Sequence, residues 1–116
     1  VMISIDHDSG KIRSVRFNEV SANPNNLDTL DLSNYFCLPG LIDMHTHISE
    51  GTSRTLVEYL TMTQQDQLVI GRVNVQKTLL AGFTSVRDLG VYIAWTDKAL
   101  RDEINSGLTN GPRMQI

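Results

Sequence analysis

Apolar and polar residues alternate along the first twenty positions in the way that short β-strands require. Apolar side chains stand at positions 2, 3 and 5 and again at 12, 15 and 17, with the turn-forming run Asp8-Ser9-Gly10-Lys11 between them. This pattern predicts a β-hairpin. Residues 21–34 are rich in Asn, Asp, Ser and Pro, and they predict a surface loop with one more short strand near residues 30–32.

After Pro39-Gly40 the pattern changes from hairpins to alternating strands and helices. Strands are predicted at 41–46, at 83–87 and from Arg113 onward, and helices at 65–81 and 93–106. A short helix is expected through Leu56, Tyr59 and Leu60. The alternation of strands and helices predicts a parallel α/β sheet or barrel.

The apolar sides of the two longer helices can be proposed from helical spacing. On the first, the apolar residues that gather toward one side are Val69, Val73 and Leu80, with Leu68 and Leu79. On the second, Ile93, Leu100 and Ile104 share a face, whereas residues 101–103 are expected to be solvated. Glycines 82 and 107 each stand where a helix is expected to end.

Composition narrows the classes of partner. The chain has 116 residues, with 10 Lys or Arg against 13 Asp or Glu and a net charge of −3. No basic run is present, which argues against nucleic acid and anionic membrane as partners. No apolar stretch approaches the roughly 18 residues of a membrane helix. The compartment is not assigned, and a cytoplasmic location is slightly favoured, although a missing N-terminal segment could have carried an export signal.

Cys37 is the one cysteine in the chain. A lone thiol excludes an intrachain disulfide and does not identify the redox compartment. We expect Cys37 to be a buried or half-buried structural residue.

The histidines His45 and His47 stand at the end of the strand predicted to begin at Leu41. Side chains two residues apart on a strand point to the same face, so both imidazoles could meet one cation while Thr46 faces away. Neutral imidazole is a good ligand for zinc. The spacing alone also fits a chance pair of surface histidines. Moreover, a tetrahedral zinc site takes three or four protein ligands, and this pair supplies two.

Several motifs, in order along the chain, resemble the amidohydrolase superfamily of metal-dependent hydrolases. The run LPGLIDMHTH at 38–47 is similar to the opening of that family's barrel. LLAGFTSVRDLG at 79–90 resembles the second barrel strand of its prolidase-like and imidazolonepropionase-like branch, and INSG at 104–107 with GPR at 111–113 resembles the entry into the third. SGKIRSV at 9–15 resembles its small β-sandwich, whose strands come from both ends of the family's chain.

The resemblance implies an α/β fold in two parts. Residues 1–40 would be the N-terminal strands of a composite β-sandwich domain. Residues 41–116 would be the first two to three strand–helix units of a TIM-like (β/α)8 barrel, which is incomplete because such a barrel needs roughly 250 residues. The family's other ligands, a bridging carbamylated lysine, two histidines and an aspartate, would belong to later strands. We therefore expect the natural protein to extend beyond both ends of this chain.

The resemblance also implies roles for individual residues. His45 and His47 would be ligands of the more buried metal. Arg87 and Asp88 end the second barrel strand, where they would line the substrate pocket or pair with each other or with loop backbone. Asp43 is expected to anchor its strand or a neighbouring loop, and His7 to be solvated.

The function implied for the parent protein is metal-dependent hydrolysis of a C–N bond. The substrate would be a dipeptide, an N-acyl amino acid or a cyclic amide, and two divalent ions, expected to be zinc, would activate a water molecule. The 116-residue chain alone is expected to be inactive.

Two alternatives to this function stay open. One is an inactive truncated product acting as a binding or assembly module, whose exposed sheet edge would favour homo-oligomers. The other is a mononuclear metal binder that uses the histidine pair alone.

Overall fold

The computed structural model describes residues 1–17, 30–51 and 55–116. Its chain forms two compact units, Val1–Leu38 and Pro39–Ile116. The helices and strands are, in order, β1 (Met2–Ile5), β2 (Ile12–Arg16), β3 (Leu41–Thr46), α1 (Leu56–Thr61), α2 (Gln64–Leu80), β4 (Phe83–Asp88), α3 (Thr96–Asn105) and β5 (Arg113–Gln115). In the described ranges, no helix is long and apolar enough to span a lipid bilayer.

The first unit contains the predicted hairpin, in which β1 and β2 pair antiparallel. At its turn the Asp6 amide donates to the Lys11 carbonyl over 2.8 Å. Gly10 has a φ of 65°, a left-handed conformation that glycine adopts without strain. The amide and hydroxyl of Ser9 both donate to the Asp6 carboxylate, and these bonds lower the pKa of Asp6. The hairpin is thus confirmed, whereas its membership of a β-sandwich stays a prediction.

The second unit is a three-stranded parallel sheet in the order β3-β4-β5. Helices α2 and α3 pack on one of its faces and on each other. Between sheet and helices lies the hydrophobic core, formed by Ile48, Leu68, Val75, Val86, Leu100 and Met114. The parallel α/β arrangement predicted from the strand–helix alternation is therefore confirmed.

Local sequence explains where the helices begin. Thr55 caps α1 in a capping box with Glu58, and Thr63 caps α2 in a second box with Asp66, so that orphan amides of each first turn are satisfied. Helix α3 begins at Thr96, later than the predicted Ile93. The reason is Trp95, whose φ of 69° is left-handed and interrupts the helical path.

The buried side of α2 includes Leu68 of the predicted apolar side but not Val69, Val73 or Leu80. Val69, Val73 and Leu80 are exposed, whereas the buried residues are Gln67, Leu68, Gly71 and Val75. The packing side is selected by Gly71, where an added Cβ would lie 2.7 Å from Cδ2 of the fully buried Leu100. A residue without a side chain thus allows α3 to approach α2, which a count of apolar positions does not detect.

Two predictions for the segment before β3 are wrong. Residues 30–32 form no strand, because the Asp31 carboxylate accepts the Ser33 amide and the Leu32 carbonyl accepts the Tyr35 amide, which turn the chain. Cys37 is exposed rather than buried. No described element covers the apolar run in which Cys37 stands, and its neighbour Phe36 is 100% exposed.

The expectation that residues 101–103 are solvated is wrong for Glu103. Its carboxylate accepts two hydrogen bonds from the Arg72 guanidinium, at 2.8 and 2.6 Å, which join α2 to α3. The Thr109 hydroxyl donates to the same carboxylate. The bonds from Arg72 are the main cause that lowers the pKa of Glu103.

Gly40→Ala is expected to destabilise the second unit. A Cβ at residue 40 would overlap the Thr84 side chain, whose own Cβ would be only 2.6 Å away. We expect a loss of about 1–3 kcal/mol in the free energy of unfolding, measured by chemical denaturation. Thr84→Ala in the same background removes part of the overlap and should recover part of the loss. A purely additive double variant would contradict the steric explanation.

Glu103→Gln is expected to remove stability that depends on pH. The folded-state pKa of Glu103 is lowered, so its contribution is present above the unfolded-state pKa of about 4.3 and is lost as pH falls through the folded value. Denaturation at pH 7 should show a loss of about 1 kcal/mol, and the difference from the unmodified chain should shrink in acid. Asp102→Asn, which removes an exposed ion pair with Lys98 within α3, should cost less at pH 7. An equal loss in both variants would refute the helix-joining role of Glu103.

Candidate metal centre

The end of β3 carries one residue more than the part of β4 with which it pairs. Asp43 pairs with Val86, and Thr46 pairs with Asp88. Val86 and Asp88 are two positions apart and are both buried on the helix-covered face. Because laterally paired residues share a face, Asp43 and Thr46 both point to the covered side although they are three positions apart. A β-bulge between them accommodates the extra residue.

The bulge determines which way His45 and His47 point. In an unbroken alternation both would share the covered face of Asp43. Because the alternation restarts from Thr46, the histidines on either side of it point to the open face, and both are exposed. Their ring centroids lie 5.5 Å apart with an interplanar angle of 66°. The two imidazoles thus lie together as expected, and their role as metal ligands stays a prediction.

The ring of His47 is held by a carbonyl. Its Nδ1 lies 3.0 Å from the carbonyl oxygen of Gly90. Since a carbonyl only accepts, this hydrogen bond requires the proton on Nδ1, which in a neutral ring leaves the lone pair on Nε2. The Glu50 carboxylate lies 3.6 Å from the same Nδ1 and places negative charge beside that N–H. Metal-ligating histidines usually donate their second ring N–H to a carbonyl or carboxylate, and the contact of His47 with Gly90 has this form.

Asp88 joins the loops that follow β3 and β4. Its side chain accepts the Ile48 amide at 2.7 Å and the Gly90 amide at 3.0 Å, and the residue is 4% exposed. Burial raises the pKa of Asp88, and these two backbone hydrogen bonds oppose that rise. In the described chain the Asp88 carboxylate therefore accepts hydrogen bonds from backbone amides, and a contact with substrate stays a prediction.

Arg87 and Asp43 are also engaged with backbone. Arg87 Nε donates to the Met44 carbonyl over 3.0 Å, across the bulge. The Asp43 carboxylate accepts the His45 amide at 3.0 Å, which agrees with the expected anchoring of its own strand. No contact between the Arg87 and Asp88 side chains is seen, so of the roles considered for Arg87 the structure shows hydrogen bonding to backbone.

The loop that carries His47 is also held from α2. Asn74 Nδ2 donates to the carbonyls of Ile48 and Glu50, each over 2.8 Å. An open hollow of about 510 Å³ adjoins this loop, lined by Thr46, His47, Ile48, Glu50, Gly51, Asn74, Lys77 and Thr78. Sequence reasoning did not identify Asn74 or Gly90. A polar asparagine within a helix predicted to pack on a sheet was the available signal for Asn74.

The structure does not add a third ligand to the pair. Within 1–17, 30–51 and 55–116, no group of three or more His, Cys, Asp or Glu residues is arranged to hold a metal ion. His7 is fully exposed beside Asp8 in the hairpin turn, in agreement with the expected solvation. The chain thus offers two imidazoles on the open face of the sheet, which is half of a four-ligand site.

Comparisons with known proteins agree on one family. The profile of the Amidohydrolase family matches residues 36–116. The crystal structure of an amidohydrolase superposes with a TM-score of 0.75 at 28% identity, over 97% of this chain and 25% of that one. A Xaa-Pro dipeptidase with methionine bound in its active site gives 0.55 at 31% identity, over 66% of this chain and 18% of that one.

Ochratoxinase of A. niger superposes with a TM-score of 0.55 at 26% identity, over 66% of this chain and 17% of that one. None of the curated proteins matches the chain. The chain spans a quarter or less of the length of these three solved structures.

Asn74→Ala is expected to loosen the loop that carries His47. The change leaves the carbonyls of Ile48 and Glu50 without their donor, so we expect a loss of about 1–2 kcal/mol in the free energy of unfolding. Hydrogen exchange should become faster for the amides of residues 48–51. Asn105→Ala, an exposed asparagine on α3, serves as the control. If both variants exchange alike at 48–51, Asn74 does not hold the loop.

Proposed function

This chain belongs to the amidohydrolase family, and we propose that it supplies the first two metal ligands of a hydrolase that cleaves an amide bond. The observation that carries the proposal is the pair His45 and His47, whose rings lie 5.5 Å apart on the open face. The hydrogen bond from His47 Nδ1 to Gly90 supports it, because that bond leaves Nε2 as the electron donor.

The residues present fit a divalent cation in their chemistry and supply two of its ligands. Two neutral imidazoles suit zinc, which is the metal we propose, and the whole protein would hold two divalent ions. When bound, such an ion lowers the pKa of a water molecule and polarises a carbonyl group. The remaining ligands would come from other parts of the whole protein. The open face of the sheet, where they would have to approach, also presents the exposed side chains of Ile42 and Met44.

We propose that the second unit is the beginning of a (β/α)8 barrel. Its three strands are parallel and adjacent, and α2 and α3 cover one face, which is the outer face in such barrels. Active sites of these barrels lie at the C-terminal ends of the strands, and both histidines stand at the C-terminal end of β3. The first unit would contribute strands to a small β-sandwich.

A dipeptide or an N-acyl amino acid is the proposed substrate, with a cyclic amide as the next choice. Support comes from the similarity to a Xaa-Pro dipeptidase at 31% identity, since that protein is named for cleavage of a dipeptide. Arg87 and Arg113 are both described cations beside the open face, and we propose that Arg87 would attract the carboxylate of such a substrate.

The competing proposal is a product without activity that acts as a binding or assembly module. The uncovered apolar side chains of the open face favour it, since exposed apolar surface promotes self-association. The two proposals differ in a simple observation. A module should be monodisperse and cooperatively folded as 116 residues, whereas a hydrolase requires a lysine, two histidines and an aspartate from the rest of a longer protein.

His45→Ala or His47→Ala in the whole protein should abolish hydrolysis of a panel of dipeptides, N-acyl amino acids and cyclic amides. We expect a loss of at least about 100-fold in kcat/KM, because outer contacts of metal sites alone are worth 10- to 100-fold. Zinc content, measured by atomic absorption on the same preparations, should fall in parallel.

His7→Ala is the matched control, because His7 is exposed in the first unit and should change neither rate nor zinc content. Treatment with a chelator should remove activity, and added zinc should restore it. Full activity in either His45→Ala or His47→Ala would refute the proposed site. Retention of zinc without any hydrolysis of the panel would refute the proposed substrates alone.

A further inference from the structure

We propose that Asp88 is a positioning residue, which orients the ring of His47 through the backbone of Gly90. This inference rests on the proposed metal site and assigns a task to a carboxylate that was expected to line the substrate pocket or to pair with Arg87 or with loop backbone. Three features carry it: the burial of Asp88, its two backbone partners, and the use of both polar groups of Gly90 in one chain of hydrogen bonds.

Each oxygen of the Asp88 carboxylate accepts a hydrogen bond from a backbone amide. One oxygen accepts the Ile48 amide and the other accepts the Gly90 amide. The residue is 4% exposed and lies on the helix-covered face. The burial of Asp88 and its two amide partners therefore favour a role toward backbone.

Gly90 connects Asp88 to His47. Its amide donates to Asp88 while its carbonyl accepts His47 Nδ1–H. Gly90 has a φ of 141°, which side-chain-bearing residues rarely adopt. Glycine thus permits one residue to use its amide on the covered side and its carbonyl on the histidine side.

Asp88 also holds the backbone next to His47. Ile48 directly follows His47, so the Asp88 bond to the Ile48 amide restrains the backbone of the histidine. Asp88 therefore holds both the segment that carries the imidazole and the residue that accepts its proton. Glu50, at 3.6 Å from Nδ1, is beyond hydrogen-bond distance and does not replace Gly90.

The expected consequence is a fixed tautomer of His47. In a free imidazole of histidine the proton prefers Nε2, whereas the bond to Gly90 requires it on Nδ1. Only the Nδ1–H form presents a lone pair at Nε2 toward a cation on the open face. If Asp88 is lost, Gly90 is released and His47 should return to the mixture of a free side chain.

The experiment is nitrogen NMR of the 116-residue chain labelled with ¹⁵N at its three histidines, His7, His45 and His47. At a pH above about 8, where imidazole is neutral, two-bond ¹H–¹⁵N correlations distinguish Nδ1–H from Nε2–H. We expect His47 to be mostly Nδ1–H in the unmodified chain and His7 to show the free pattern. A His47 that is mostly Nε2–H would overturn the inference without any variant.

Asp88→Asn and Asp97→Asn form the matched pair of variants. Asparagine at 88 keeps one acceptor oxygen and places an amino group against the other backbone amide, so the His47 tautomer should shift toward Nε2–H. Asp97 is the control: it affects Asp88 through charge, and its carboxylate accepts a hydrogen bond from the Lys98 amide. Because its replacement leaves the hydrogen bonds of Asp88 in place, the tautomer should be unchanged. A folded Asp88→Asn chain with an unchanged His47 would overturn the inference.

If Asp88→Asn fails to fold, Asp88→Glu keeps both acceptors on a longer side chain that displaces Gly90. It should still shift the tautomer, and an unshifted His47 would overturn the inference.

Zinc affinity separates this inference from the proposed function. In the whole protein, Asp88→Asn should weaken zinc binding by about 10- to 100-fold. A correct tautomer in a protein that binds no zinc would refute the metal site and leave the positioning of His47 intact.

Discussion

The pairing between the ends of β3 and β4 is the constraint on which the candidate site depends. Because Thr46 pairs with Asp88 while Asp43 pairs with Val86, β3 must absorb one extra residue. That bulge changes the face to which the following residues point, so His45 and His47 leave the helix-covered side. The same pairing puts the Asp88 carboxylate beneath both loops, within reach of the Ile48 and Gly90 amides. Register and hydrogen bonding therefore produce one result, two imidazoles on an open face.

The packing of helices on the other face keeps this register in place. Leu68, Val75 and Leu100 meet Val86 and Met114 of the sheet in one core, and burial of such side chains stabilises by about 1.5–3 kcal/mol each. The sheet is thus covered on one side, where apolar side chains form the core and Asp88 is also buried, and it is open on the other, where polar and some apolar groups are exposed. This difference is the physical reason that chemistry on this chain is expected at the open face.

Much of the fold follows from local sequence, whereas the site geometry does not. The strand ending in His45 and His47, the hairpin and the helix stops at Gly82 and Gly107 were predictable, because alternation and glycine act over a few residues. The bulge was not, since register belongs to a pair of strands. The exposure of Cys37 was also missed, because apolar composition does not reveal whether a neighbouring element covers the run.

Anomalous diffraction from a zinc-soaked crystal of the whole protein tests the central claim most directly, namely that the bulged end of β3 presents two imidazoles to one metal. The account predicts a peak about 2.0–2.1 Å from Nε2 of both His45 and His47, with Nδ1 of His47 still bonded to the Gly90 carbonyl. A metal bound through His47 Nδ1, or bound away from the pair, would contradict it.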